Sequence, residues 1–188
     1  MRILITILTV GLLTAFQISD RTIEQFVQSQ LNAYAIIQND ESQYFTYSLE
    51  KLNLHKEKKR VTIKANNTHS NKNSYNKTVY SRIHIWQFDF ASKEKCGQAI
   101  DSLLNCFPND CGKIKRNNDQ GLKITPSIWI LTDTKIYIAK TACEQVDEKW
   151  TDFKKKFTAS FSDNETEIIV TECGKLTWTT KEKIKNAP

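Results

Sequence analysis

The chain has 188 residues and a formal net charge of +6, with 27 Lys and Arg against 21 Asp and Glu, 39% hydrophobic residues and 26% charged ones. That apolar fraction and mild charge exclude a disordered chain, which buries too little apolar surface to fold. The lysines are scattered, with short runs at residues 55–60, 154–156 and 181–185, and do not form the arginine-rich stripe that grips phosphates in nucleic-acid readers.

The N-terminus, "MRILITILTVGLLTAFQISDR", has one basic residue, an apolar run from Ile3 to Phe16 and then polar sequence. This is the pattern of a secretory signal peptide, expected over 1–19 with cleavage between residues 15 and 19. The run is shorter than the ~20 apolar residues a bilayer-spanning helix needs. The expected location is secreted or periplasmic, with no integral membrane anchor once the leader is removed. Residues 20–188 are enough for one domain with a real core.

In "TIEQFVQSQLNAYAII", Ile23, Phe26, Val27, Leu31, Tyr34 and Ile37 recur at helical spacing, and Thr22 with Gln25 forms a capping box. The segments "QYFTYSL" and "RVTIKA" read as a hairpin joined by the lysine-rich "HKEKK". Residues 66–77, rich in Asn and Ser, read as a flexible loop. The second half gives a strand at 79–90, a helix at 92–106, a hairpin at 127–139, a helix at 141–158 with Thr141 and Glu144 as its capping box, and a hairpin at 167–180. Its final turn, Gly174-Lys175, fits type II′. The order resembles the ferredoxin-like β-α-β-β-α-β unit. The expected fold is therefore α+β: an antiparallel sheet with two helices on one face, plus an N-terminal helix and β-hairpin.

The chain has five cysteines, and in an oxidising compartment disulfides are the default. Cys96 shares the apolar face of the helix at 92–106 with Ala99, Ile100, Leu103, Leu104 and Phe107, so it reads as a free core thiol. Cys106, Cys111, Cys143 and Cys173 fall at one end of the expected sheet. The favoured pairs are Cys106 with Cys111 and Cys143 with Cys173, since a Pro-containing turn separates the first two. No C-x-x-C occurs and the histidines lie far from the cysteines, so neither a metal site nor a cofactor is expected.

Strand alternation sets Ile83 and Ile85 against His84, Trp86, Phe88 and Phe90. An aliphatic face is expected to receive the two helices, and the N-terminal helix and hairpin to cover the aromatic one. Trp86 is expected in the core; His84, Trp86, Trp129 and Tyr137 would line a ligand groove if the cover were partial. No nucleophile elbow, zinc-protease motif or phosphate loop is present. Asn66, Asn76 and Asn164 begin N-x-Ser/Thr sequons. The leading functional expectation is an exported, disulfide-stabilised binding or interaction module for a protein or small ligand. Its alternatives are an exported hydrolase-like enzyme whose site assembles from distant residues, and an inhibitor whose helix-then-strands order resembles that of cystatins, although the glycine-containing inhibitory loop of that family is absent.

Overall fold

A computed structural model describes residues 21–37, 54–67, 69–70, 78–79, 81–107, 112–122 and 124–186. The leader at 1–19, the strand expected in "QYFTYSL", Cys111 and Asn76 lie outside the described residues. The elements are α1 (Ile23–Gln28), β1 (Tyr34–Ile37), β2 (His55–Ala65), β3 (His69–Ser70), β4 (Thr78–Val79), β5 (Arg82–Phe90), α2 (Lys93–Asn105), β6 (Gln120–Leu122), β7 (Ser127–Leu131), β8 (Lys135–Lys140), α3 (Glu148–Phe161), β9 (Glu167–Glu172), β10 (Gly174–Thr179) and α4 (Lys181–Lys185). The fold is α+β. Among the described residues eight strands form one antiparallel sheet in the order β1-β2-β5-β8-β7-β9-β10-β6, and β3, inside the segment expected to be loop, pairs separately with β4 just beyond it.

This order departs from the ferredoxin-like one at its last step. There, the strand equivalent to β9 would pair with β5. Here β2 takes that edge, pairing with β5 from His55 opposite Phe90 to Lys64 opposite Arg82, and β9 lies beside β7 instead. The change moves one helix to the other face. Both crossovers, β5 to β7 and β8 to β9, step in the same direction along the sheet. Because β5 and β8 run in opposite directions, crossovers of the usual right hand deliver their helices to opposite faces.

Packing follows that rule. On one face α2 buries Cys96, Ala99, Ile100, Leu103 and Leu104 against Trp86, Phe88, Trp129, Ile138 and Trp178. On the other, α1 and α3 cover Ile63, Ile85, Ile130, Tyr137 and Ile168. The aromatic face is thus covered by α2, and the N-terminal helix joins α3 on the aliphatic face. Phe26 of α1 sits edge-on to Phe153 and Phe157, with centroids 5.6 and 5.4 Å away.

Local differences have local causes. The Thr22–Gln25 capping box forms, but α1 ends at Gln28 and Tyr34–Ile37 becomes a strand. The consecutive β-branched residues Ile36 and Ile37 pair with Ile63 and Thr62, so tertiary pairing overrides the helical spacing. Leu31, on the expected stripe, is exposed. The lysine-rich "HKEKK" is no loop: it is the first half of β2. α3 starts at Glu148 because Asp147, not Thr141, caps it, its carboxylate accepting from the Trp150 amide at 3.0 Å. Thr141 instead donates its hydroxyl to the Arg82 carbonyl at 2.8 Å. The turn before β10 is shifted by one residue, since Lys175 pairs with Glu172 and leaves Cys173 and Gly174 as the loop; Gly174 has φ +107. A positive φ at the second central position belongs to a type II turn.

Cys143 and Cys173 are disulfide-bonded, with Cα atoms 5.8 Å apart, and the bond closes the ends of β8 and β9 across a sequence separation of 30. Cys106 is also disulfide-bonded. Cys96 is a free, buried thiol.

Two outcomes follow from this packing. Trp86 is 1% exposed under α2, so Trp86→Ala should lose about 3–5 kcal/mol in urea unfolding; near-parent stability would contradict its core placement. Replacing Cys143 and Cys173 together by serine should cost about 3–4 kcal/mol from the restored freedom of the unfolded chain, read as a lower urea midpoint with an unchanged fold by circular dichroism.

Candidate functional site

The four side chains expected to line a groove do not come together. Trp86 and Trp129 lie in the core beneath α2, while Tyr137 projects from the opposite face and stacks on Phe161 with centroids 4.3 Å apart. The cause is register. Ile138 stands opposite both Trp86 and Trp129, so its neighbour Tyr137 must point the other way. His84 is half-buried, 5.9 Å from the Trp86 ring.

His84 belongs to a polar row that sequence reading missed. Register aligns Thr62, His84, Lys140, Ser127 and Thr171 across β2, β5, β8, β7 and β9. Thr62 Oγ1 lies 3.0 Å from His84 Nδ1. At the other end Trp129 Nε1 donates to Ser127 Oγ at 2.7 Å, Ser127 and Thr171 hydroxyls meet at 2.6 Å, and Thr171 donates to the Thr125 carbonyl at 2.7 Å. That chain runs in one direction and commits the Ser127 proton to Thr171. Ser127 is therefore no nucleophile activated by His84, from which Lys140 separates it. Lys140 is half-buried, and burial alone holds its pKa below the ordinary lysine value.

The Cys96 thiol is equally held. Cys96 Sγ donates to the Thr132 carbonyl at 3.3 Å, and burial, aided by the nearby Asp133 charge, pushes its pKa up to about 12. It stays protonated at neutral pH. Among the described residues no group of three or more His, Cys, Asp or Glu could hold a metal ion.

Among the described residues, one surface feature with chemistry is a cleft of about 210 Å³ between α3, α4 and the β9–β10 hairpin. Strand alternation builds its floor: Leu176 and Trp178 face α2, which turns Lys175, Thr177 and Thr179 to the opposite side, beside Val170 of β9. Lys154 and Lys155 line the cleft from α3, and Lys183 and Ile184 from α4. α4 is the lysine-rich tail that reads as a solvated run in sequence. Thr180 caps it, and the burial of Ile184 fixes it against the α3 side of the sheet. The cap followed by one apolar residue was the signal that could have identified it.

Charge in this cleft is unbalanced. Four lysines face one carboxylate, Glu172, leaving three positive charges. Lys154 Nζ pairs with Glu172 Oε1 at 2.7 Å and lies 5.9 Å from the Trp150 ring centroid. Among the described residues Lys155, Lys175 and Lys183 have no acidic partner within salt-bridge distance. Ammonium groups and threonine hydroxyls from separate elements can surround an anion. The sequons are placed differently: Asn164 is exposed between α3 and β9, whereas the Asn66 amide donates to the Leu31 and Asn32 carbonyls at 3.4 and 3.3 Å.

The sequence matches no family model, no curated protein and no solved structure. Among the described residues no helix is long and apolar enough to cross a membrane.

Lys140 gives a test by pH. A lysine whose folded pKa lies below its unfolded value costs stability while both states are charged, and that cost fades as pH rises through the folded pKa toward about 10.4. Lys140→Met should therefore be more stable than the parent at pH 7, with the gap in melting temperature narrowing by pH 10. A gap that stays constant or widens would show that burial of the ammonium is not the cause.

Proposed function

We propose that the chain is a binding module of an oxidising compartment outside the cytosol, and that it takes a small anionic ligand in the cleft between α3, α4 and the β9–β10 hairpin. The observation that carries this reading is the excess of three positive charges in one concave site, three of its lysines lacking an acidic partner among the described residues. Like charges gathered in a cleft repel one another and raise the local concentration of counter-ions, so an anion gains more there than on an open surface. The apolar N-terminal run and the Cys143–Cys173 disulfide support the compartment. The fully bonded Ser127 and the protonated Cys96 favour binding over hydrolysis.

A panel of small charged probes tests the site. Citrate and glucose 6-phosphate should shift the amide resonances of Thr177, Thr179 and Lys183, while hexylammonium should not. The variant Lys155→Gln with Lys183→Gln should weaken anion binding about tenfold or more, and added salt should weaken it further. Shifts confined to other surfaces, or a double variant that binds like the parent, would remove the reading.

A further inference from the structure

Resting on the reading of the cleft as an anion site, we infer that its ligand is a phosphate monoester, and that the Glu172 carboxylate competes with that ester for Lys154. The donor set points to the ester. Lysines bind phosphate as point charges that can approach from any side. Here Lys154 and Lys155 come from α3, Lys175 from β10 and Lys183 from α4, with the Thr177 and Thr179 hydroxyls on the floor. Donors on several sides suit a tetrahedral group with three free oxygens. Three uncompensated charges favour a group that carries about −1.5 to −2 at neutral pH over a singly charged anion.

Glu172 is the movable partner of its ion pair. The Lys154 side chain is 13% exposed and lies near the buried Trp150 ring, whereas Glu172 is 58% exposed at the end of β9. A carboxylate this solvated holds its partner weakly. An incoming phosphate can take Lys154 while Glu172 turns into water. Until it does, Glu172 both occupies Lys154 and repels the approaching dianion. The affinity of the cleft is thus set below what its lysines would give alone, and a ligand with one negative charge gains too little to displace Glu172.

Titrations of glucose 6-phosphate, glucose 6-sulfate and gluconate into the full folded chain, followed at the Thr177 and Thr179 amides, separate these claims. Glucose 6-phosphate should bind most tightly, since the sulfate ester has the same shape with less charge and gluconate offers a carboxylate. Glu172→Gln should tighten glucose 6-phosphate binding about five- to tenfold, the size expected for removing one charge a few ångströms from a dianion in a partly solvated cleft. Lys154→Gln should weaken it by a similar factor. Equal binding of the three probes would overturn the ester assignment, and a Glu172→Gln variant that binds no better than the parent would overturn the competition. In either case, loss of binding in the Lys155→Gln, Lys183→Gln variant would leave the cleft standing as an anion site. No binding of any anion by the parent would remove both.

Discussion

The long antiparallel pairing of β2 with β5 is the constraint on which the rest depends. It runs from His55 opposite Phe90 to Lys64 opposite Arg82 and closes one edge of β5. With that edge taken, β9 adds beside β7, and the crossover through α3 reverses its direction along the sheet relative to the ferredoxin-like plan. The usual crossover hand then puts α2 and α3 on opposite faces. A sheet with helices on both faces has two cores, and the strands between them are apolar on both sides, as the wholly buried β7 shows.

That arrangement also creates the cleft. Because β9 is added on the far side, the β9–β10 hairpin extends the sheet beyond β7. The short helix α4 follows and anchors through Ile184, and its Lys181 Nζ donates to the Ser162 carbonyl at 2.7 Å. The concavity lies between these pieces, and alternation along β10 turns a lysine and two threonines into it. The disulfide ties the β9–β10 turn at Cys173 to Cys143 after β8, so Glu172 stands on a covalently tied end of the hairpin.

Polar groups are handled differently in the core and in the cleft. Along the polar row every hydroxyl proton from Ser127 to Thr171 has an acceptor, which makes the row structural. In the cleft, three lysines share one wall-to-floor space with no acidic partner among the described residues. Uncompensated charge in a concave surface concentrates counter-ions, whereas satisfied hydroxyls in the interior serve packing.

Much of the second half was legible in sequence. The strand ending at Phe90, the α2 face from Cys96 to Leu104 and both later hairpins follow from local periodicity and glycine, which do not depend on distant residues. The same local rules misassign Tyr34–Ile37 and the lysine-rich half of β2 and leave the tail helix unassigned, because each is fixed by a partner far along the chain: Ala65 for Tyr34, Phe88 for Lys58, and the α3 side of the core for Ile184. By itself the sequence determined the α+β class, the free buried thiol and the burial of Trp86, all of which rest on apolar spacing within one element. Only the tertiary structure decided which face Tyr137 joins, on which sides the helices lie and that four scattered lysines meet in one cleft, since strand order and register are set by pairings between segments that no local pattern records.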